Sequence, residues 1–365
     1  MPLPIDIQRP ARERLPVVLE PAHNAIASMM LVLKEDDMPG VHEWVSKTRA
    51  ALTAQEFEKH KLVIIGFFYA LLPREHWNSF PEYLDHLANT DAQTLRSNLL
   101  EEYANICIEC GETPPEKSAV DWESVLSSAE AYVQFLKERF GEKGVDAELE
   151  TQAYRLVLDP PAMKSLIVEH LRWFWEQFLV QEWRRVEPVL RESARQFQSL
   201  NVSHTNSLEE ASFITGQELP EEHWKKLLES GRQVCFVPNA HIGPYVYKMI
   251  VGDSLWVVFG AHQPESADVR IPELDRADIV ARVAALADDT RLRILQLIGE
   301  QGELRSQDIM EQIELSQPSV SRYLTQLTVT GYLRERRING AKAYTLNRER
   351  IEKNLKAIKK FLLGT

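Results

Sequence analysis

Within the last 90 residues the apolar pattern changes period, and few folds accommodate the order in which it does so. Ile279, Val283, Leu286 and Ala287 mark an amphipathic helix, and Thr290 to Glu300 predict a second whose core face carries Leu292, Leu295 and Ile298, stopped by Gly302. Ser306 is placed to cap a short helix from Gln307 to Ile313, and Ser316 to cap another from Gln317 to about Thr330, with Pro318 tolerated in its first turn. After Gly331 the spacing shortens. Leu333 to Arg337 and Lys342 to Leu346 read as two strands joined at Asn339-Gly340, a strong hairpin signal. Arg350 to Leu362 then returns to helical spacing, apolar through Ile351, Leu355, Ile358 and Leu362.

The chemistry of the helix at 317–330 points outward. Val320, Leu324 and Leu327 take its core face, which leaves Gln317, Ser319, Arg322 and Tyr323 exposed, with Ser316 and Ser321 beside them. Gln pairs bidentately with adenine, Arg with guanine, and Ser hydroxyls suit bases or phosphates. On the ribbon, Arg334, Arg336, Arg337, Lys342 and Tyr344 would meet backbone phosphates or the minor groove. A helix that fits the major groove followed by a basic β-ribbon is the layout of a winged helix-turn-helix, expected over residues 275–365. Overall charge argues the other way, at −12. The average conceals an asymmetry, because residues 316–360 hold 11 basic and 3 acidic side chains. One end of an acidic chain is built to meet an anion.

At 365 residues, about two domains are expected. From about Pro21 to Gly231 apolar residues recur mostly at helical spacing, as in Ala25, Met29, Val32 and Leu33, with breaks at Met38-Pro-Gly40, Leu72-Pro73, 111–115, 141–144 and Asp159-Pro-Pro161. Val234 to Val237, Tyr245 to Val251 and Ser254 to Phe259 read as strands, the last two joined at Gly252-Asp253. The expected architecture is therefore mainly α with small β elements. A helical N-terminal domain at 1–262 carries a β-element near 233–260, a polar linker spans 263–274, and the winged helix follows. The run from Leu62 to Leu72 is far too short to span a bilayer, and Met1 to Pro21 lacks the apolar core of a signal peptide, so a cytoplasmic protein with no membrane partner is expected.

Three segments carry a family resemblance: Leu286-Ala-Asp-Asp-Thr-Arg-Leu-Arg-Ile-Leu295, Leu315-Ser-Gln-Pro-Ser-Val-Ser-Arg-Tyr-Leu324 and Gly331-Tyr-Leu-Arg-Glu-Arg-Arg337. Together they resemble ArsR-type winged-helix regulators over about 80 residues. The resemblance implies a homodimer held by the outer helices near 276–287 and 350–362. It also implies binding to a palindromic operator in double-stranded DNA, and repression relieved by a signal. Glu20 to Ser28, Trp44 to Leu52 and Gly231 to Pro238 resemble an uncharacterised N-terminal region found on some long regulators of this type, which names no ligand. Residues 302–308 contain no thiol or imidazole where the metal-sensing branch carries its cysteine box, so arsenic or cadmium sensing at that position is not expected.

Other readings stand beside this one. A winged helix can serve protein contacts alone, and the N-terminal domain could bind an unknown small-molecule effector or hold an active site. No Gly-rich phosphate loop, nucleophile elbow or His-Glu-x-x-His pair is present, so neither an enzyme nor a cofactor is expected. Cys107 and Cys110 share a helical face and could bind metal or form a redox pair, but two further ligands are lacking, and small buried side chains are the commoner outcome. The aromatic run from Trp173 to Trp183 could line a pocket, with core packing the commoner role. His23, His241 and Tyr245 are further candidates for such a pocket.

Overall fold

The computed structural model describes residues 14–105, 120–200, 206–264, 272–338 and 340–363. Cys107, Cys110, Asn339 and most of the expected linker lie outside them. The described chain is mainly α with small β elements.

Thirteen helices precede the first sheet among the described residues: α1 (Pro21–Lys34), α2 (Glu43–Ala51), α3 (Ala54–Gly66), α4 (Phe68–Leu71), α5 (Phe80–Asn89), α6 (Ala92–Asn105), α7 (Trp122–Val125), α8 (Ala129–Phe140), α9 (Ala147–Val157), α10 (Pro160–Phe174), α11 (Val180–Ser199), α12 (Ser207–Thr215) and α13 (Glu221–Leu228). Local chemistry sets their ends. Thr53 and Glu56 form a reciprocal capping box on α3, Asp159 caps α10 with Pro160 behind it, and Gly141 ends α8 at φ +82°. A π-turn at Trp175–Leu179 joins α10 to α11. Of the aromatic residues around that turn, Phe174 and Trp175 are buried in the main core, and Trp173, Phe178 and Trp183 pack against it partly buried.

Helix α1 departs from its expected amphipathic stripe, because every residue from Pro21 to Val32 is buried. Four small residues, Ala22, Ala25, Ala27 and Ser28, let neighbours approach on all sides. Two of its three buried polar side chains are bonded, since Asn239 Nδ2 donates to Asn24 Oδ1 at 3.0 Å and to Ser28 Oγ at 3.2 Å, whereas neither ring nitrogen of His23 has a hydrogen-bond partner.

Behind α1 lies a sheet of β1 (Gln233–Asn239), β2 (Val246–Val251) and β3 (Ser254–Gly260), in the order β1-β3-β2. The hairpin at Gly252-Asp253 is present, but β1 runs parallel to β3, a pairing that local pattern does not reveal. Successive residues alternate between two cores. Cys235, Val237, Trp256 and Val258 face α1 and its surroundings, while Val234, Phe236, Leu255, Val257 and Phe259 face Phe197, Ile214 and Trp224. Burial on both faces explains why these strands read as unbroken apolar runs. At the sheet's corner three backbones meet, since a Cβ on Gly243 would lie 2.3 Å from the Gly40 oxygen and one on Gly260 would lie 2.0 Å from the Gly243 oxygen.

The C-terminal unit comprises α14 (Pro272–Leu286), α15 (Asp289–Gln301), β4 (Leu304–Arg305), α16 (Ser306–Ile313), α17 (Gln317–Val329), β5 (Leu333–Ile338), β6 (Ala341–Leu346) and α18 (Arg348–Leu363). Three details differ from expectation. Helix α14 begins at Pro272, inside the segment read as linker. Ser306 is the first residue of α16 rather than its cap, and Arg305 N donates to Asp308 Oδ2 at 3.0 Å to close that end. The core stripe of α15 is Arg291, Ile294 and Ile298, so Leu292 is exposed. Among the described residues no helix is long and apolar enough to cross a membrane.

Candidate nucleic-acid interface

Helix α17 is held by the apolar cluster that contains Ile294, Ile309, Ile313, Val320, Leu324 and Leu327. A second hold on it is polar and has no counterpart among the sequence expectations. Arg291 is buried, with Nε donating to the Ala285 oxygen at 2.8 Å, one terminal nitrogen to the Ala284 oxygen at 2.9 Å and the other to Gln326 Oε1 at 2.7 Å. Its guanidinium also lies over the Tyr323 ring, 5.9 Å from the centroid. A signal for it exists, because Arg291 falls three and seven residues before Ile294 and Ile298 on one helical stripe.

This support leaves the opposite face of α17 in solvent. Gln317, Ser321 and Arg322 are exposed, Ser319 is half-buried, and the Ser316 and Ser319 hydroxyls share a hydrogen bond at 3.0 Å. Tyr323 is half-buried beneath Arg291. On the ribbon, Arg336, Arg337 and Lys342 are exposed. Arg336 is bonded to Glu303, which holds that carboxyl below its usual range, and Lys342 pairs with Glu335 at 3.0 Å. Tyr344 is placed otherwise than expected. It is 4% exposed and packs in the core of the unit with its hydroxyl 3.1 Å from Glu335, because its register position on β6 faces α15 and α16.

The N-terminal region touches the same face. The Asp36 oxygen accepts from Arg322 at 3.2 Å, Glu218 accepts from Arg334 at 2.7 and 2.8 Å, and Asn347 donates to Glu218 at 3.2 Å. Val329 packs against the main core, and a Cβ on Gly40 would sit 3.3 Å from Gln326 Nε2.

Elsewhere, His42, Glu182 and His241 bring three metal-type donors within 4.8 Å of one another. Each is otherwise engaged. His241 Nε2 is 2.9 Å from Glu182 and its Nδ1 2.7 Å from Ser28 Oγ, Glu182 takes two bonds from Arg185, and His42 Nδ1 accepts from Trp44 N. Burial works against the Glu182 carboxylate, yet the bonds from His241 and Arg185 outweigh it and bring its pKa to about 2. We read the cluster as a polar clasp between α2, α11 and the β1–β2 loop. His23, its ring 4.0 Å from that of Trp256 and tilted 32° to it, and Tyr245, bonded through its hydroxyl to the Pro39 oxygen, are core residues.

The sequence profile described as "Family of unknown function (DUF5937)" matches residues 1–247, more than half of the chain. The chain belongs to this family. A second profile, "Bacterial regulatory protein, arsR family", matches residues 288–335, from the cap of α15 into β5. An ArsR-family helix-turn-helix domain thus follows the DUF5937 region. The arsenic resistance transcriptional regulator ArsR1 of Pseudomonas putida is 50% identical over 52 residues, which is 14% of this chain. The match spans 41% of that relative, less than half of its length.

Proposed function

We propose that the chain is a sequence-specific DNA-binding transcriptional regulator, acting as a homodimeric repressor in the cytoplasm, whose DUF5937 region responds to an effector. The observation that carries this reading is the exposed start of α17, where Gln317, Ser321 and Arg322 stand free of the core beside an exposed basic ribbon. Gln317, Ser319 and Arg322 are assigned to base edges, Ser316, Ser321 and Tyr323 to supporting contacts, and Arg336, Arg337 and Lys342 to phosphates.

Dimerisation is supported by where exposed apolar surface falls. Val280 (57%) and Val283 (43%) on α14, and Leu355 (54%) and Leu362 (70%) on α18, are all open to solvent in the single chain. The two helices pack against each other, with Arg282 donating to Asn354 Oδ1 at 2.7 Å, so their apolar stripes form one surface. A two-fold partner on that surface would give the dimer two α17 helices related by the same axis, which matches the two half-sites of a palindromic operator.

The test is fluorescence anisotropy with DNA from upstream of the protein's own gene and a scrambled control, at two salt concentrations. Binding at least about a thousandfold tighter than to the control, and weakened by salt, is the expected result. Absence of binding to any DNA at low salt would overturn the reading in favour of a protein-contact role.

A further inference from the structure

Between α1, α4, α6, α8 and β2 lies a cavity of about 340 Å³, within the range that holds small organic ligands. Its walls are mostly aromatic and aliphatic, including Phe68, Tyr69, Phe140 and Tyr247. One wall group is out of keeping with the rest. Glu150 of α9 also lines the space, is 7% exposed, and its Oε2 has no hydrogen-bond partner. An acid in such a place costs stability unless something is meant to meet it. Aromatic faces and a carboxylate share one preference, since both attract positive charge when shielded from water. Outside, the 3₁₀ turn Glu35–Asp37 sets three acidic residues between Lys34 and Met38, which both line the cavity.

We propose that this cavity is the effector site of the regulator and that it takes a lipophilic organic cation whose charge is met by Glu150. The inference rests on the DNA-binding reading for the word effector, but not for the site. The same turn connects the two functions, because Lys34 and Met38 border the cavity while the Asp36 oxygen between them holds Arg322. A ligand that moves the end of α1 therefore acts directly on the residue assigned to base reading, and it changes DNA affinity by as much as its own affinity differs between the two positions of that turn.

Burial, aided by Asp146, raises the Glu150 pKa to about 8, so near pH 7 Glu150 is a neutral acid until a cation meets it. The neighbouring groups do not supply its counter-charge. Tyr69, Tyr103, Tyr132 and Tyr247 are neutral, their pKa values raised by burial, Asp146 is paired with Lys61 at 2.6 Å, and the Lys34 side chain is exposed. A cation would then expel the proton, and its affinity should climb toward tenfold per pH unit below about pH 8.

Titration calorimetry on the intact protein tests this with benzyltrimethylammonium and its uncharged isostere neopentylbenzene. At pH 8 the cation is expected to bind at least about tenfold more tightly than the isostere, with affinity rising from pH 6 to pH 8. Glu150→Gln should abolish both the preference and the pH dependence, and Met30→Trp, which fills the cavity, should abolish binding of both compounds. Equal binding of the two compounds, no binding of either, or an unchanged preference in Glu150→Gln would overturn the site. Anisotropy with operator DNA then decides the effector role, for which at least about a fivefold change in affinity with the cation is expected. Cation binding that leaves DNA affinity untouched would overturn that role. Failure to bind DNA under any condition would remove the DNA reading, while the calorimetric result would still decide whether the cavity binds cations.

Discussion

The Arg322 guanidinium donates to the Asp36 backbone oxygen across 286 positions of sequence. A side chain assigned to base reading is thus engaged by the N-terminal region before DNA arrives. Arg322→Ala should weaken binding to the cognate site by about 1 to 3 kcal/mol and relax specificity at one base pair. Competition anisotropy against single-base operator variants measures this. A loss of equal size on every sequence would reassign Arg322 to a phosphate.

The apolar surface shared by α14 and α18 should be the seam of the dimer. Leu355, 54% exposed, can accept a charge without disturbing the core of its own chain. Leu355→Asp is expected to give a folded monomer in sedimentation equilibrium and to lower operator affinity at least about a hundredfold, because each half-site would then bind alone. A variant that remains dimeric would move the seam elsewhere.

Arg291 should be worth more to stability than any surface ion pair. Arg291→Met removes three donors and leaves the Gln326 amide and two α14 carbonyls without their partner, at a cost of about 2 to 4 kcal/mol. Urea unfolding followed by circular dichroism reads the effect, and Arg291→Lys should recover only part of it. A loss below about 0.5 kcal/mol in Arg291→Met would show that the network is dispensable.

His60 Nδ1 and His170 Nε2 share a buried hydrogen bond at 2.9 Å. Burial lowers the pKa of His60 to about 4 and that of His170, which also feels His60, to about 3, against 6.5 for a free imidazole. Below pH 6.5 the unfolded chain therefore takes up protons that the folded chain refuses. Stability contributed by the pair is full above pH 6.5 and is lost progressively down to about pH 3 to 4, where the folded sites protonate as well. In His170→Gln the slope of unfolding free energy against pH should fall by about 1.4 kcal/mol per unit between pH 6 and 4.5, the contribution of one proton. Denaturant melts across that range provide the check, and parallel slopes would exclude the pair as the source.

The C-terminal unit is legible in the sequence because its signals are local: Gly302 and Gly331 end helices, Ser316 begins one, and the two strands differ from the helices in period. The structure agrees with those readings to within a few residues. Signals that depend on distant partners are not legible. Nothing near β1 announces that it runs parallel to β3, and nothing near α1 announces burial on every side. Tyr344 reads as a wing residue from its basic neighbours, although alternation on β6 turns it inward. Glu150 looks like one more acid on a charged helix, and only the assembly of α1, α4, α6 and α8 around it gives it a different environment.

The sheet at 233–260 also decides how the chain can be divided. The DUF5937 match stops at residue 247, inside β2, yet β2 bonds to β3 through Val251↔Ser254, and β1 reaches β2 only through β3. At the other end, Val18 N donates to the Phe236 oxygen and Phe236 N to the Pro16 oxygen, both at 2.8 Å. A fragment stopping at 247 would lose the central strand and present β1 with an open edge, a template for pairing with other chains. Division before 233 would expose the face of α1 and release the segment near Val17, which forms a single bridge to Phe236. The piece that can be expected to stay in solution alone therefore runs from before Pro16 to at least Gly260, which is the span to use for calorimetry without the DNA-reading unit.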